Sequence, residues 1–568
     1  MNQHDSPDAQ IDRARIDGGF GFASAAFALG LGLLTLLERV GLPDEMLRIG
    51  VIALIFAGLA IVAVFLRTMR PIGFYAGGRR LPGTYAGLAF AGVTFGLFLP
   101  FLRPSPLGID LTSAAVGFGV GCLWAQFATG PVLRRSGAYS LADLIALRFP
   151  HPLVRVPMVL LMGFCAGCIA LGGYEIALRG FVAATGVTRG LGAVILAGLL
   201  ILLSVPAGLS GVVWIGATAT LVTTVALILP LSLDLFSGIP LALPVFGDQA
   251  AWTQAAAHFA VLTNASGQAA FQPNLAVAIG FGLATLTPLF SAAVATRNEG
   301  AAWRSGLIGM IWLALGAVLM TATIAGATLA LRSAVGDRAP AALPRAILAA
   351  SGQGDIAICG IHARDPVVLD FACNANARND QPRNAWRHMR TDAAYLLRSL
   401  PVLRGSEPTL AHLAATFMIV LGMATAAFGL QFLVTALSHD ILHPRRRQFA
   451  VVSRRLAITR FLTIVFSVLA SLWLARRGVD VQALFALALM LSAALVTPIL
   501  VLALMSRPTS IGALAALCVA AFVTAHFLLF SAGVMRADEF ATNAIFAAFD
   551  GVAVGLFITF LPIRKTGV

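Results

Sequence analysis

The sequence predicts an all-α polytopic membrane protein with about fourteen transmembrane helices, ten of them in two groups of five with opposite orientation. Three observations lead there. Hydrophobic residues make up 59% of the chain and charged residues only 11%, with a mean hydropathy of +0.89. Too few polar side chains remain to cover a water-facing protein of 568 residues. Apolar runs of about 20 residues, the length that crosses a bilayer, recur from end to end. The formal charge of +14 is carried almost wholly by arginine, gathered in short loops between those runs. That distribution reports orientation in a membrane and gives no reason to expect a nucleic-acid partner.

In order, the runs are 20–38, 49–67, 83–101, 112–131, 156–178, 190–208, 211–236, 273–294, 306–331, 411–436, 457–475, 481–504, 510–533 and 541–562. They divide the chain into a cytoplasmic tail (1–19), two leading helices (20–67), a first group of five (83–236), a second group of five (273–504) and two closing helices (510–562). The tail mixes acids with arginines and lacks a compact apolar core with a cleavage site, so it reads as a retained tail. With the N-terminus inside, the first five-helix group starts inward-to-outward and the second starts the other way. An inverted-repeat transporter requires that relation. The same placement sets 21 basic residues on the cytoplasmic side against 8 in the short outer loops. Both termini are therefore expected inside a cytoplasmic (inner) membrane. The loop 333–410 is too long to enter that count and is expected to be exported as a lid or small cap. Of the six cysteines, Cys359 and Cys373 fall in this loop, where they either close a bridge or stay as free thiols. Cys165 and Cys168 spell CxxC within one apolar run, which without nearby His or Asp reads as packing.

The stretch Tyr75–Pro100 is the most informative. An arginine-bearing turn leads into an apolar run interrupted by Gly87, Gly92 and Gly96 and stopped by Pro100. Glycine and proline weaken a helix, and in lipid the freed carbonyls need a partner. One reading is a helix unwound near the midplane that offers its carbonyls to a cation. The other is a helix rich in glycine so that neighbours can pack closely.

Four stretches carry a family resemblance. Phe74-Tyr75-Ala76-Gly77-Gly78-Arg79 with Ala86-Gly87-Leu88-Ala89 is similar to the entry of a first core helix. Gly137-Ala138-Tyr139-Ser140-Leu141-Ala142-Asp143-Leu144 with Arg148 is similar to the loop after the second. Ser438-His439-Asp440 matches the end of the eighth, and Pro498 with Gly512-Ala513 the end of the tenth. On these residues the chain resembles the sodium:solute symporter family, in particular its acetate-permease-like branch. The resemblance implies a LeuT-like fold and secondary active transport of a small organic solute, with a monocarboxylate as the implied class and sodium as the usual driver. It also implies a cation site from backbone near Ala91 and Thr94 and from positions 424 and 425. Here Ala424 replaces a hydroxyl residue and Thr425 retains one, Val93 and Phe95 stand where small polar residues are common, and Gly216 stands where a glutamine often follows Trp214.

Polar groups are costly in lipid, so the few that occur there are candidates for function. Glu175 is one. Desolvation favours a neutral carboxyl, which would suit proton coupling, whereas Arg179 at i+4 offers an ordinary helix pair. Gly92, Trp214 and Gln431 join it as candidates for the substrate or proton path. Asp234, Asp550 and His526 are weaker candidates, Asp143 and Arg148 suit either a gate or a helix cap, and Arg445–Arg447 are placed to partner Asp440. The expected protein is thus a cation:solute symporter that uses Na+ or H+ and has no cofactor. A transporter-like sensor or scaffold without turnover is the alternative. No HExxH, GxSxG or catalytic aspartate pair suggests an enzyme.

Overall fold

The computed structural model describes residues 7–103, 108–236, 249–263, 271–336, 338–339, 342–352, 354–376, 385–386, 388–405, 408–441, 452–505, 509–530 and 536–560. Every apolar run becomes helical. The helices are α1 (Pro7–Val40), α2 (Asp44–Phe65), α3 (Gly83–Phe98), α4 (Leu111–Trp124, continued by a π turn at Ala125–Thr129 and by Gly130–Ser136), α5 (Pro152–Thr185), α6 (Arg189–Ser204) and α7 (Leu209–Phe236). The remainder are α8 (Pro273–Thr285, then a 3-10 turn Thr287–Phe290 and Ser291–Ala295), α9 (Glu299–Val335), α10 (Pro408–Thr435), α11 (Val452–Arg476), α12 (Val481–Leu491, a π turn Ser492–Val496 and Thr497–Leu504), α13 (Ser510–Phe530) and α14 (Ala537–Phe560).

Among the described residues twelve helices are long and apolar enough to cross a membrane, and the two parts of α8, bent by 54°, bring the number to thirteen when counted as one span. The fourteenth expected run, 190–208, yields only the 16 residues of α6. At 1.5 Å per residue that is about 24 Å, short of a bilayer's hydrocarbon core. The expected polar tail also differs: α1 begins at Pro7, and Asp17 accepts a hydrogen bond from Tyr85 at 2.7 Å.

The packing repeats itself when the two five-helix groups, α3–α7 and α8–α12, are exchanged in order. α3 packs on α7 and α9, and α8 packs on α12 and α4. α7 packs on α10 as α12 packs on α5, while α5 with α10 and α6 with α11 pair across the symmetry. This is the five-plus-five relation that the opposite orientations of the two groups predict, realised in contacts. α13 and α14 pack on each other, and α14 covers α8 and the π turn of α12; at the other end α2 lies on α10, α6 and α7.

The long loop forms a small cap. An antiparallel pair, Ile356–Ile358 with Met389–Thr391, holds three helices: Arg345–Gly352, Pro366–Asn376 and Ala393–Leu403. Cys359 and Cys373 are bridged, which settles the alternatives left by the sequence. Ala393–Leu403 buries most of its residues against α9 and α10, and Arg103, just past α3, pairs with Asp392 at 2.9 Å. Within the cap, burial pushes the Asp355 carboxyl above the usual carboxylate range against the pull of Arg398, its ion-pair partner. The neighbouring Tyr395 is pushed up to about 12, mainly by burial.

Candidate functional site

α3 carries the predicted cation positions, and it is continuous. It is α-helical from Gly83 to Phe98, so the carbonyls of Ala91 and Thr94 lie inside the helical hydrogen-bond ladder. The hydroxyl of Thr94 donates to the Phe90 carbonyl at 2.9 Å and also meets the Cys122 thiol on α4. On α10 the hydroxyl of Thr425 donates to the Leu421 carbonyl at 2.9 Å, and Ala424 is fully buried. The space beside α3 is filled on both sides: a Cβ at Gly96 would overlap Thr425 Oγ1 on α10, and one at Gly92 would overlap the Gly216 carbonyl on α7. The glycines of this stretch therefore serve close packing.

Gly216 has a reason of its own. A Cβ there would lie 2.8 Å from Phe428 and 2.9 Å from the Ala89 carbonyl, so a glutamine does not fit. Trp214 is half-buried and packs with Tyr85 and Phe20, fastening α1 to the bundle. Gln431 donates from Nε2 to the Phe74 carbonyl at 3.4 Å, and its Oε1 has no hydrogen-bond partner among the described residues.

Glu175 is fully buried and faces away from α10. Gly173 and Gly180 touch α10, whereas the carboxylate of Glu175 takes Arg179 at 2.7 Å and also Arg189, at the start of α6. Both guanidiniums reach on to the end of α11 and the turn beyond it. Arg179 donates to the Val479 carbonyl at 2.7 Å and Arg189 to that of Leu474 at 2.7 Å. The arrangement is a three-element clamp with its negative charge matched by two positive ones. Arg189 was invisible to the i+4 rule, since it lies 14 residues on.

At the opposite end, Ser140 caps the helix Leu141–Arg148, accepting from the Asp143 amide at 2.9 Å and donating to Asp440 Oδ2 at 2.8 Å. His439 Nδ1 pairs with Asp440 Oδ1 at 2.8 Å, and Arg155 donates to the Asp440 carbonyl. These supply the partner that an aspartate at a helix C-terminus needs. Arg445–Arg447, expected in that role, lie outside the described residues. Asp143, His439 and Asp440 each bring one potential metal-ligand atom within 4.8 Å of the others. Asp550 is exposed on α14, His526 lies between Phe522 and Phe530 on α13, and the side chain of Asp234 lies outside the described residues.

The broken span is α8. Its chain turns extended at Leu286, and the hydroxyls of Thr285 and Ser492 meet there at 2.8 Å. The π turn of α4 touches the break, and the π turn of α12 packs on the helix just before it. Gln126, in the first π turn, is 1% exposed, and neither of its amide atoms has a hydrogen-bond partner among the described residues. A lone glutamine in an apolar run was the available signal for it.

No family model and no curated protein matches the chain. Among solved structures it is similar to a Na+-coupled sialic acid symporter in its substrate-bound outward-open state. The TM-score is 0.61 at 12% identity, over 92% of this chain and 99% of that one. At that identity the likeness establishes the architecture, and the chain has the helical, LeuT-like five-plus-five fold of a membrane transporter.

Proposed function

We propose that this protein is a secondary active transporter that moves a small solute across a membrane. The observation that carries the reading is the near end-to-end likeness to a Na+-coupled symporter, joined to a helix break in the second five-helix group. A break frees backbone groups inside the bilayer, where only a ligand or a neighbouring helix can satisfy them. The arginine count supports placement in the cytoplasmic membrane with both termini inside and the cap outside, and the division at 83–236 and 273–504 supports two repeats rocking about the break. Sodium coupling at Ala91, Thr94, Ala424 and Thr425 has weak support, because the helix that would supply the carbonyls is unbroken. Glu175 as a proton carrier is also weakly supported, since two arginines hold it. A monocarboxylate would need a cationic partner, and Arg134 on α4 is engaged with the Thr296 and Arg297 carbonyls.

A transporter-like module without turnover is favoured by one observation, the closed α3–α10 seam. Uptake of radiolabelled solutes into proteoliposomes, with sodium and proton gradients imposed separately, tests both readings. Accumulation against a gradient supports transport. Saturable binding to the purified protein without accumulation supports the module.

A further inference from the structure

We infer that the break in α8 and the π turn facing it bind an uncharged polar solute, recognised by the carboxamide of Gln126. The inference rests on the transporter reading and names its substrate class. Two π turns flank α8, Ala125–Thr129 on α4 and Ser492–Val496 on α12. Single-turn π segments inside helices recur at functional sites. The polar groups here do not satisfy one another. Thr285 and Ser492 pair, but Gln126 Nε2 and Oε1, Thr129 Oγ1 and Thr497 Oγ1 have no hydrogen-bond partner among the described residues. Within that set Gln126 is the one side chain left with both polar atoms unmatched. Buried polar groups are nearly always bonded, so an unmatched carboxamide on the π turn that touches the broken span points to a missing partner.

The donor set selects the ligand chemistry. A carboxamide presents an acceptor and two N–H donors. A bare cation would engage Oε1 and leave the N–H groups unmatched. An anion would be drawn from water into apolar helix, since residues 111–133, 273–296 and 481–504 contain no charged side chain and Arg134, further along α4, donates to the Thr296 and Arg297 carbonyls. A solute bearing hydroxyl or amide groups answers both sides of the carboxamide. Gly306 on α9 lets that helix approach closely, because a Cβ there would lie 3.1 Å from the Cβ of Gln126.

The test uses the full-length protein in proteoliposomes, with radiolabelled myo-inositol, glucose and uridine as uncharged probes and acetate and pyruvate as charged ones. At least one uncharged probe should enter. Gln126→Leu and Thr129→Val should each cut its initial rate tenfold or more, while Gln126→Leu melts no lower than the parent without solute because two unmatched groups are gone. Uptake of that probe unchanged in both variants overturns the site and leaves the transporter reading standing. Entry of acetate or pyruvate alone overturns the substrate class. A lower melting point for Gln126→Leu indicates a structural water bond, and a sodium-dependent melting shift lost in that variant indicates a cation; either result overturns the inference. If no probe enters, equilibrium binding decides. Binding of an uncharged probe that is lost in Gln126→Leu supports the site and rejects turnover, whereas no binding rejects both.

Discussion

Glu175 shows what a buried charge does when its partners come from separate elements. Removing the carboxylate leaves two guanidiniums, from α5 and α6, without the group they converge on. Both guanidiniums keep solvent access, with side chains 40% and 31% exposed, so breaking the pair from the carboxylate side costs about 1–2 kcal/mol, below the cost for a fully buried pair. Glu175→Gln is therefore expected to lower the melting temperature of the purified protein by several degrees, and Glu175→Gln with Arg179→Ala to recover part of the loss. The pH profile of uptake should keep its shape in Glu175→Gln; a profile that flattens would return the proton role to this residue. Asp355 in the cap supplies a second prediction at this scale. Its folded-state carboxyl binds a proton more tightly than the unfolded one, chiefly through burial. In the window between the ordinary carboxylate range and the raised value, the folded cap holds more protons than the unfolded, so stability falls as pH rises through it. Pulse proteolysis of the cap at matched protease activity should show faster cutting above this window than below it, and Asp355→Asn should abolish the difference.

At the scale of the element, the break falls in α8, and α3, for which the sequence left open either unwinding or close packing, takes the close packing. Hydropathy gave away the existence and order of the spans, because apolar length is written locally. Whether a helix breaks is not local. α3 has three interior glycines and stays whole, with α9 at Ser305 and Gly309 packed on Gly87, Gly216 on Gly92 and Thr425 on Gly96. α8 carries Pro288 and breaks just before it, at Leu286, beside a π turn 160 residues away in sequence, a pairing that no local pattern announces. A glutamine at position 216, as the family resemblance suggests, would drive a side chain into Phe428 and the α3 backbone. Gly216→Gln should cost about 3 kcal/mol by overpacking, read as a lowered melting temperature; an unchanged one would mean that α3 and α7 can separate. The cap rests on its bridge, which joins cysteines 14 residues apart in sequence. Closing a loop of that size contributes about 3 kcal/mol in the chain-entropy model. An impermeant thiol reagent on intact cells should label Cys359 and Cys373 only after reductant, and equal labelling without reductant rejects the bridge.

For the whole molecule the open question is what drives it, and the two halves of the bundle answer differently. A dehydrated alkali cation needs about six oxygen ligands, as hard cations do. The carbonyls of Ala91 and Thr94, in the first five-helix group, are held in a continuous helix, while on α10 of the second group the Thr425 hydroxyl is turned back to Leu421 and Ala424 offers none. A sodium site on this seam would require α3 to unwind and Thr425 to exchange its bond, and both steps oppose binding. Sodium is therefore expected to stimulate uptake weakly, with half-maximal effect only at high concentration. The second group already has its break, so movement about α8 does not depend on unwinding α3. Initial uptake rate measured against sodium at fixed pH, with choline as the replacing cation, decides between these states. A nearly flat response, unchanged in Thr425→Ala, fits the closed seam. Steep stimulation at low millimolar sodium that Thr425→Ala abolishes would show that α3 opens during the cycle and that the seam is one conformation of a working site.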